Sequence, residues 1–473
     1  MKLRNVLAAG VALSAISAPA FAQEGAPAAD GDPVLGDNVI IVTAVAQGQN
    51  RLESSVSVSA LDAESIADLN PSSSADLIRQ IPGIRSEASG GEGNANIAVR
   101  GIPVSTGGAR YIQLQEDGLP VLEFGDIVFG NADNFVRADR NVGRVEAVRG
   151  GSASTFASNS PGGVINFISK TGLEEGGAVA GTIGIDHETY RLDFDYGGAL
   201  DATSYFHVGG FYRTGEGVRD TGFNGKEGGQ IKANLTTEFD GGYIRVHGKY
   251  LDDSTPTILP QPVAVTGTDS DPDYTAIANF DPRTASLYSR YISAARTLDG
   301  DNNPTTYDIH DGLSVKSAAF GVEAEVEFAP GWTLTNRFRY ADNSGSFVSP
   351  FPASVGDAQA IADGIGGAGS SIVLASGPDA GQAVANPATL GGNGLLTNVV
   401  LFNVRLNDLD YLVNDLRVAK DFDVGSGSAT FTAGFYGSRQ DIDTDWLWTS
   451  YVQTVEGDGT VVVTDDIESF LIG

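Results

Sequence analysis

The sequence predicts a transmembrane antiparallel β-barrel, only partly represented, preceded by a small α+β domain. Three observations predict it. From Ala178 onward apolar and charged residues alternate with a period of two, in runs of about 9 to 11 residues, the length of a tilted strand crossing a bilayer. The links between those runs are alternately short and long, the habit of outer-membrane barrels. No uncharged run of about 18 apolar residues follows the N-terminus, which excludes a helical membrane protein. Passage through a membrane would therefore need a closed barrel, in which every backbone polar group finds a partner.

Taken in order, Met1 to Ala22 reads as a secretory signal peptide: Lys2 and Arg4, an apolar run from Val6 to Ile16, then Ala20-Phe21-Ala22 as the cleavage site. Its removal takes two positive charges from a formal net charge of -31, leaving -33. Such an excess argues against nucleic acid as a partner. The chain has no cysteine, so disulfides, thiol catalysis and Cys-ligated metals are excluded and stability must come from packing and backbone pairing. Residues 23–51 form a leader that is small, acidic and proline-containing at its start. Within it Asn38-Val39-Ile40-Ile41-Val42-Thr43-Ala44 has high strand propensity in polar surroundings. It is either an unpaired strand inviting strand addition by another protein or the first strand of the domain that follows.

Residues 52–172 read as one compact α+β domain. Ala60 to Leu69 and Ser74 to Ile81 have amphipathic helical spacing, the second stopped by Pro82-Gly83. Asn96 to Val99, Tyr111 to Gln115 and Gly118 to Leu122 read as strands. So do Val145 to Val148 and Val164 to Ile168, which bracket a turn-rich segment with a glycine pair at each end, Gly150-Gly151 and Gly162-Gly163. Paired glycines let the backbone turn sharply and pack close to another surface.

Four stretches carry a resemblance in a fixed order: Leu77-Ile78-Arg79-Gln80-Ile81-Pro82-Gly83-Ile84, Ile97-Ala98-Val99-Arg100-Gly101-Ile102, Gln115-Glu116-Asp117-Gly118-Leu119-Pro120-Val121, and the closing segment from Val145-Glu146 through Arg149-Gly150 to Gly162-Gly163-Val164-Ile165-Asn166 and Lys170. Each is similar to a plug-domain motif of the TonB-dependent outer-membrane receptors. Gly151-Ser152 stands where that family commonly has Pro-Gln, and Ser160-Pro161 precedes the second glycine pair. The resemblance implies that residues 52–172 sit in the barrel lumen as a plug. It also implies that 38–44 is a TonB box (Val39, Ile40, Ile41, Val42, Thr43, Ala44), offered to TonB of the inner-membrane energy-coupling complex. Arg100 and Arg149 would then pair with barrel glutamates to anchor the plug; the alternative is two ordinary surface arginines. Only 15 residues separate the cleavage site from Asn38, too few for the extra signalling domain some members carry there. The function implied is energy-coupled uptake, across the bacterial outer membrane, of a scarce large nutrient such as a ferric siderophore, cobalamin or oligosaccharide. A passive or adhesive surface protein is the alternative, separable by energy dependence. Which nutrient is taken up is not legible, and no histidine falls in the plug, which disfavours haem.

Residues 173–473 read as barrel wall. Tyr190 to Tyr196, Ile231 to Phe239, Ile244 to Tyr250, Phe320 to Phe328 and Trp332 to Tyr340 alternate. Arg191, Lys232, Arg245, Lys249, Arg337 and Arg339 share the charged phase. Turning them to lipid would cost roughly 2 to 4 kcal/mol each at the midplane, so the apolar phase faces lipid and the charged phase the lumen. Short links fall at Gly198 to Ala202, Asp240 to Gly242, Ala329-Pro330 and Asp423 to Gly427; long ones at Thr214 to Gly228, Asp253 to Leu313 and Asp342 to about Leu409. That gives about ten strands, too few to enclose such a plug, and with no terminal aromatic residue the reading is the N-terminal part of a larger barrel. His207 and His247 fall in inward positions and could meet across the lumen; solvated lumen residues are the plainer reading. No nucleophile elbow, phosphate loop or dinucleotide fingerprint occurs, so no enzyme activity and no cofactor are implied. Asp269-Ser270-Asp271-Pro272-Asp273 opens like a calcium loop but lacks its glycine and glutamate, and no metal site is expected.

Overall fold

The computed structural model describes residues 40–41, 43, 49–50, 58–88, 90–102, 108–150 and 157–464. The signal peptide, the start of the leader, Val39, Val42, Ala44, Gly151 and residues 465–473 lie outside them.

Ile40–Ile41 (β1) pairs antiparallel with Gln49–Asn50 (β2), so at these two residues the N-terminal segment has a strand partner in its own chain. Val58–Asp62 (β3) follows. The helix expected from Ala60 begins only at Ala63 (α1, Ala63–Leu69), because Asp62 takes the N-cap and accepts from the Ser65 N–H at 2.9 Å. Residues before it are held in the sheet by pairing with Arg144 to Val148. A second short helix, Ser74–Ile78 (α2), is capped by Ser73 and buries Leu77 and Ile78. Ile84–Glu87 (β4) pairs with Asn96–Val99 (β5), and Asp126–Ile127 (β8) with Gly130–Asn131 (β9). Ile112–Glu116 (β6), Leu119–Pro120 (β7, shorter than Gly118 to Leu122), Val142–Arg149 (β10) and Gly163–Ser169 (β11) complete a five-stranded sheet in the order β3-β10-β11-β6-β7. Only β11 and β6 run parallel in it. The inner strands are covered on both faces: Val145, Ala147, Ile165 and Phe167 join the core with Leu77, Ile78 and Phe135, while Glu146 and Asn166 are fully buried polar residues.

The wall begins with Gly176–Ile183 (β12), Glu188–Ala199 (β13), Ser204–Gly217 (β14), Lys226–Phe239 (β15) and Gly242–Thr255 (β16), each antiparallel to the next. Two hairpins follow in the long link, the exposed Ala264–Thr268 (β17) with Asp271–Thr275 (β18) and the half-buried Ala294–Leu298 (β19) with Pro304–Asp308 (β20). The acidic stretch from Asp269 thus lies in and beside a solvent-facing hairpin. Leu313–Ala329 (β21) returns to the wall and Trp332–Asp357 (β22) rises for 26 residues. Then come Ala358–Gly366 (α3), Ile372–Leu374 (β23), Leu395–Asp408 (β24), Tyr411–Val424 (β25), Gly427–Gln440 (β26), Asp443–Thr454 (β27) and Val461–Thr464 (β28).

Here the structure corrects one expectation: Asp342 to Leu409 is not simply a loop. The lower part of β22 pairs with β25 and its upper part with β24, and Leu409 N–H reaches the Asn343 carbonyl at the joint. β24 and β25 are thus one descending strand with a kink, and β26 and β27 one ascending strand, tied at its kink by Asp441 N–H to the Asp410 carbonyl. Pro350 and Pro352 each remove a donor from β22, and register shifts beside Pro352 and at Leu406 break the period, which is why the sequence does not read as strand there. Counting each kinked pair once, nine strands stand in order from β12 to β26–β27 among the described residues, near the ten expected. Among the described residues the sheet does not close: β12 pairs only with β13 and β26 only with β25.

The face assignment follows the predicted phase. Tyr190, Leu192, Phe194, Tyr196, Ile231, Ile244, Tyr250 and Phe320 are exposed on the outer face, whereas Asp193, Asp195, Arg213 and Arg339 are buried on the inner one. No helix among the described residues is long and apolar enough to cross a membrane.

Candidate functional site

Three places bear on function: the glycine-bounded turn, the plug–wall interface and the docking point of Thr43. The turn between β10 and β11 is closed by Gly150 N–H to the Gly162 carbonyl at 3.0 Å and by Gly162 N–H to the Tyr111 carbonyl at 2.8 Å. Gly163 has φ +154, and a Cβ there would sit 2.4 Å from the Val148 carbonyl oxygen, so no larger residue fits. Gly150 has φ +96, left-handed backbone that glycine tolerates best.

Arg100 and Arg149 lie side by side beneath this turn. Arg149 donates to Ser59 Oγ at 2.8 Å and to the Pro82 carbonyl, both on the plug. The Arg100 guanidinium lies against Gly150, 3.2 Å from where its Cβ would be. The neighbouring positive charge and burial lower the pKa of Arg149, burial being the larger cause.

Ion pairs between plug and wall are made by Glu92, Glu116, Arg137, Arg140 and Lys170 of the plug, with Lys232 and Lys249 among the lumen-phase cations of the wall. At the outer end the plug loop carrying Glu92 meets β14 and β15: Glu92 accepts from Lys226 Nζ at 2.5 Å and from Arg213. Arg213, 1% exposed, also forks onto Asp253 of β16 at 2.6 and 2.8 Å. Asp253 in turn holds Arg137 of the plug at 2.7 Å. The loop is propped from behind, where Ala95 N–H reaches Asp133 and Asn94 N–H reaches Asn134, each at 2.8 Å. Halfway down, Glu116 at the end of β6 takes Lys232 at 3.2 Å and Lys249. Near the inner end Asp195 of β13 takes Arg140 and Lys170 of the plug, each at 2.8 Å. Burial pushes the carboxyls of Glu92 and Glu116 up, but the cations facing them, Arg213 with Lys226 and Lys232 with Lys249, hold both below the usual carboxylate range. At Asp133 burial outweighs the Ala95 N–H and the charge of Arg137, and raises its carboxyl to about 6.

The opposite side of the plug touches β21, β22 and β24–β25 through carbon. Leu313, Val315, Phe347, Val404, Leu406, Tyr411 and Val413 belong to the same buried cluster as the plug interior. Phe129 stacks on Phe347 at 4.4 Å and meets Trp446 edge-on at 5.5 Å; Trp446 stacks on Trp448 at 5.0 Å. One carboxylate interrupts this side, Glu123, which accepts from the hydroxyls of Tyr411 (2.8 Å), Tyr436 (2.7 Å) and Ser438 (3.1 Å).

Of the strand-forming segment, Thr43 is buried against the plug sheet. Its N–H and Oγ1 donate to Glu146 Oε2 at 3.0 and 2.5 Å, and Asn166 Nδ2 donates to its Oγ1 at 3.1 Å. Close by, a polar cavity of about 220 Å³ separates plug from wall, lined among others by Asn166, Ser169, Lys232, Asn234, Arg245 and Arg337. His207 and His247 line this same cavity, and His207 faces Asp195 at 3.5 Å. Glu146 was legible only as a letter of the Val-Glu-x-x-Arg-Gly wording; what could have flagged it and Asn166 is their polarity inside otherwise apolar strands.

Comparison with known proteins fits this geometry. Residues 50–164 match the family model of the TonB-dependent receptor plug domain. The chain is 26% identical over 263 residues to the ferric enterobactin receptor PirA of Pseudomonas aeruginosa, covering 46% of this chain and 34% of that one. A second ferric enterobactin receptor of the same organism is 26% identical over 272 residues, covering 47% and 35%. The chain thus spans about a third of the length of the curated relatives it matches. Among solved structures it shares the fold of the ferric-catecholate import receptor Fiu of E. coli, with TM-score 0.54 and 14% identity over 86% of this chain and 51% of that one. With an alignment covering 89% of this chain and 47% of the other, it also shares that of P. aeruginosa FpvA bound to a pyoverdine (TM-score 0.53, 15% identity). With that plug seated by ion pairs and apolar contacts against a wall of antiparallel strands, residues 50–164 are a plug domain of the TonB-dependent receptor kind, and the chain as a whole is similar to the receptors that carry it.

Proposed function

We propose that the chain is the plug and first wall strands of a transporter that takes up a ferric siderophore across the outer membrane, with energy delivered by TonB through residues 38–44. The observation that carries this reading is the docking of Thr43 on the plug sheet. It puts the segment that would bind TonB in direct contact with the domain that must move. The substrate class is supported by the relatives, which are named as ferric enterobactin receptors, and by neighbours named for ferric catecholate and ferric citrate. Substrate would enter from the side of the long links, where the Glu92 loop meets β14 and β15. Extended backbone at Ile40–Ile41 is open to strand pairing once its short ribbon with Gln49–Asn50 is released.

The test is uptake of a radioactive ferric catecholate by cells carrying the receptor, with and without a protonophore. Uptake should stop when the proton gradient is dissipated, and Ile41→Pro, which removes a backbone donor from the paired strand, should abolish uptake while leaving surface binding intact. Uptake that continues without the gradient would point to a passive surface protein, and unchanged uptake by Ile41→Pro would remove the TonB assignment.

A further inference from the structure

We infer that Glu146 and Asn166 are positioning residues that pass movement of Thr43 to the Glu116 anchor on the wall, so that withdrawing Thr43 widens the 220 Å³ cavity between plug and wall. The inference rests on reading residues 38–44 as the energy-coupling segment, and names the route by which that segment acts.

The route is continuous. Glu146 of β10 and Asn166 of β11 stand opposite each other in register, and both are fully buried. Thr43 bonds to both: Glu146 Oε2 accepts its N–H at 3.0 Å and its hydroxyl at 2.5 Å, and Asn166 Nδ2 donates to the hydroxyl at 3.1 Å. The other end of the Asn166 amide, Oδ1, accepts the N–H of Gly118 at 3.0 Å. Gly118 belongs to the tight turn between β6 and β7 that carries Glu116 and Asp117. Asp117 is clamped to β11 by the Ser169 N–H at 2.7 Å and the Ser169 hydroxyl at 2.9 Å. Lys232 of the wall closes the path, reaching Ser169 Oγ at 2.9 Å and Glu116 at 3.2 Å, with Lys249 on the same carboxylate.

An amide side chain bonded at both ends is a coupling: rotation to recover a partner lost at Nδ2 moves Oδ1 off Gly118. Loss of the Thr43 contacts also takes two donors from the buried Glu146 carboxylate, whose other oxygen accepts from Arg144 Nε at 2.9 Å. Taking donors from a buried carboxylate is costly. Both effects bear on the turn that places Glu116 against Lys232 and Lys249. Asn166, Gly118, Asp117, Ser169 and Lys232 all line the cavity, so slack in the route opens that space rather than the apolar side of the plug.

Because the chain has no cysteine, Thr171→Cys, which lies on the cavity wall outside the route, gives a unique thiol. The experiment measures the rate of maleimide labelling at that thiol in outer-membrane vesicles carrying the receptor, with no energy-coupling partner present. Thr43→Val keeps the side chain's shape and removes its hydroxyl; it should raise the rate about tenfold, the scale of one net hydrogen bond. Asn166→Ala should raise it as much, and the double variant no further. Glu323→Gln, on the same cavity but held by Arg245 and Arg337 instead, should multiply independently with Thr43→Val. Retained binding of a ferric catecholate checks that the variants are folded. A rate within twofold of the parent for Thr43→Val, or a Thr43/Asn166 double variant equal to the product of the two singles, overturns the proposal. Uptake is not read at any step, so failure here and failure of the transport reading are distinguishable.

Discussion

The plug meets its wall in two different ways. Against β13 to β16 it is held by charge: Asp195, Glu116, Glu92 and Asp253 each take two cations across or beside the interface. Against β21, β22 and β24–β25 it is held mainly by carbon, from Leu313 to Val413. The difference teaches which side can open. Separating the apolar side exposes surface to water at roughly 25 cal/mol per Å² with nothing regained. Separating the charged side exchanges protein partners for water, and a cavity lined on that side by Lys232 and Arg245 already stands beside the plug. The charged side is therefore the one that can part and re-form, and the carbon side the one that stays.

The largest effect should come from orphaning buried charge. Asp253→Ala leaves Arg213 and Arg137 without their shared carboxylate, and should cost about 3–5 kcal/mol, read as a lower urea midpoint of the detergent-solubilised receptor. Replacing the ion cluster by apolar residues as a set should cost far less, since the penalty lies in leaving Arg137 buried without its carboxylate and Arg213 with Glu92 alone, and not in the loss of the bridge. A small loss for Asp253→Ala alone would show that water already reaches Arg213.

Next in size, Phe347→Ala removes the ring on which Phe129 stacks and should cost about 3 kcal/mol through the cavity left behind. The comparison predicts an added distinction: the labelling rate of a thiol at Thr171 should rise for Asp253→Ala or a Glu116 variant and stay unchanged for Phe347→Ala. Equal rises would mean that the plug loosens as a whole.

Acidity separates the two kinds of carboxylate. Asp133 has a folded pKa of about 6, above its ordinary value of 3.8. The folded state therefore holds its proton more tightly, and this group's contribution falls as pH rises from about 4 to 6. Glu92 and Glu116 lie below their ordinary value of 4.5, so their contribution is present above pH 4.5 and is lost as pH falls further. Stability against pH should show both slopes, and Asp133→Asn should remove only the first. Because Asp133 props the loop that carries Glu92, the first slope should be steeper in an assay of Glu92-loop protection than in one of global unfolding.

Much of this was legible beforehand, and the gaps have physical causes. The plug wording located β10 and β11 to within a few residues, because an apolar strand ending in paired glycines admits few alternatives. The lumen phase of Arg191, Lys232, Lys249 and Arg339 was legible from the cost of turning them to lipid. The upper parts of β22 and β24 were not, because Pro350, Pro352 and two register shifts erase the period of two. Pairing is a property of two strands, so the sequence alone does not show that Glu92, Glu116 and Asp253 make plug–wall pairs. Nor does anything in Asn38 to Ala44 show that the plug sheet buries Thr43.

The smallest expected effect tests the exception on the carbon side. Glu123 has three hydroxyl donors from the wall, Tyr411, Tyr436 and Ser438, and a fourth from Ser158 of the plug. Burial pushes its carboxyl up, yet these bonds hold it below the usual range. Since several donors share one carboxylate, removing one by Tyr436→Phe leaves the charge satisfied and should cost only about 1 kcal/mol. Neutral donors also make the loss insensitive to salt. A loss as large as that of Asp253→Ala would mean that this side too is held by a charge with no substitute partner, and the division between a side that parts and a side that stays would fail.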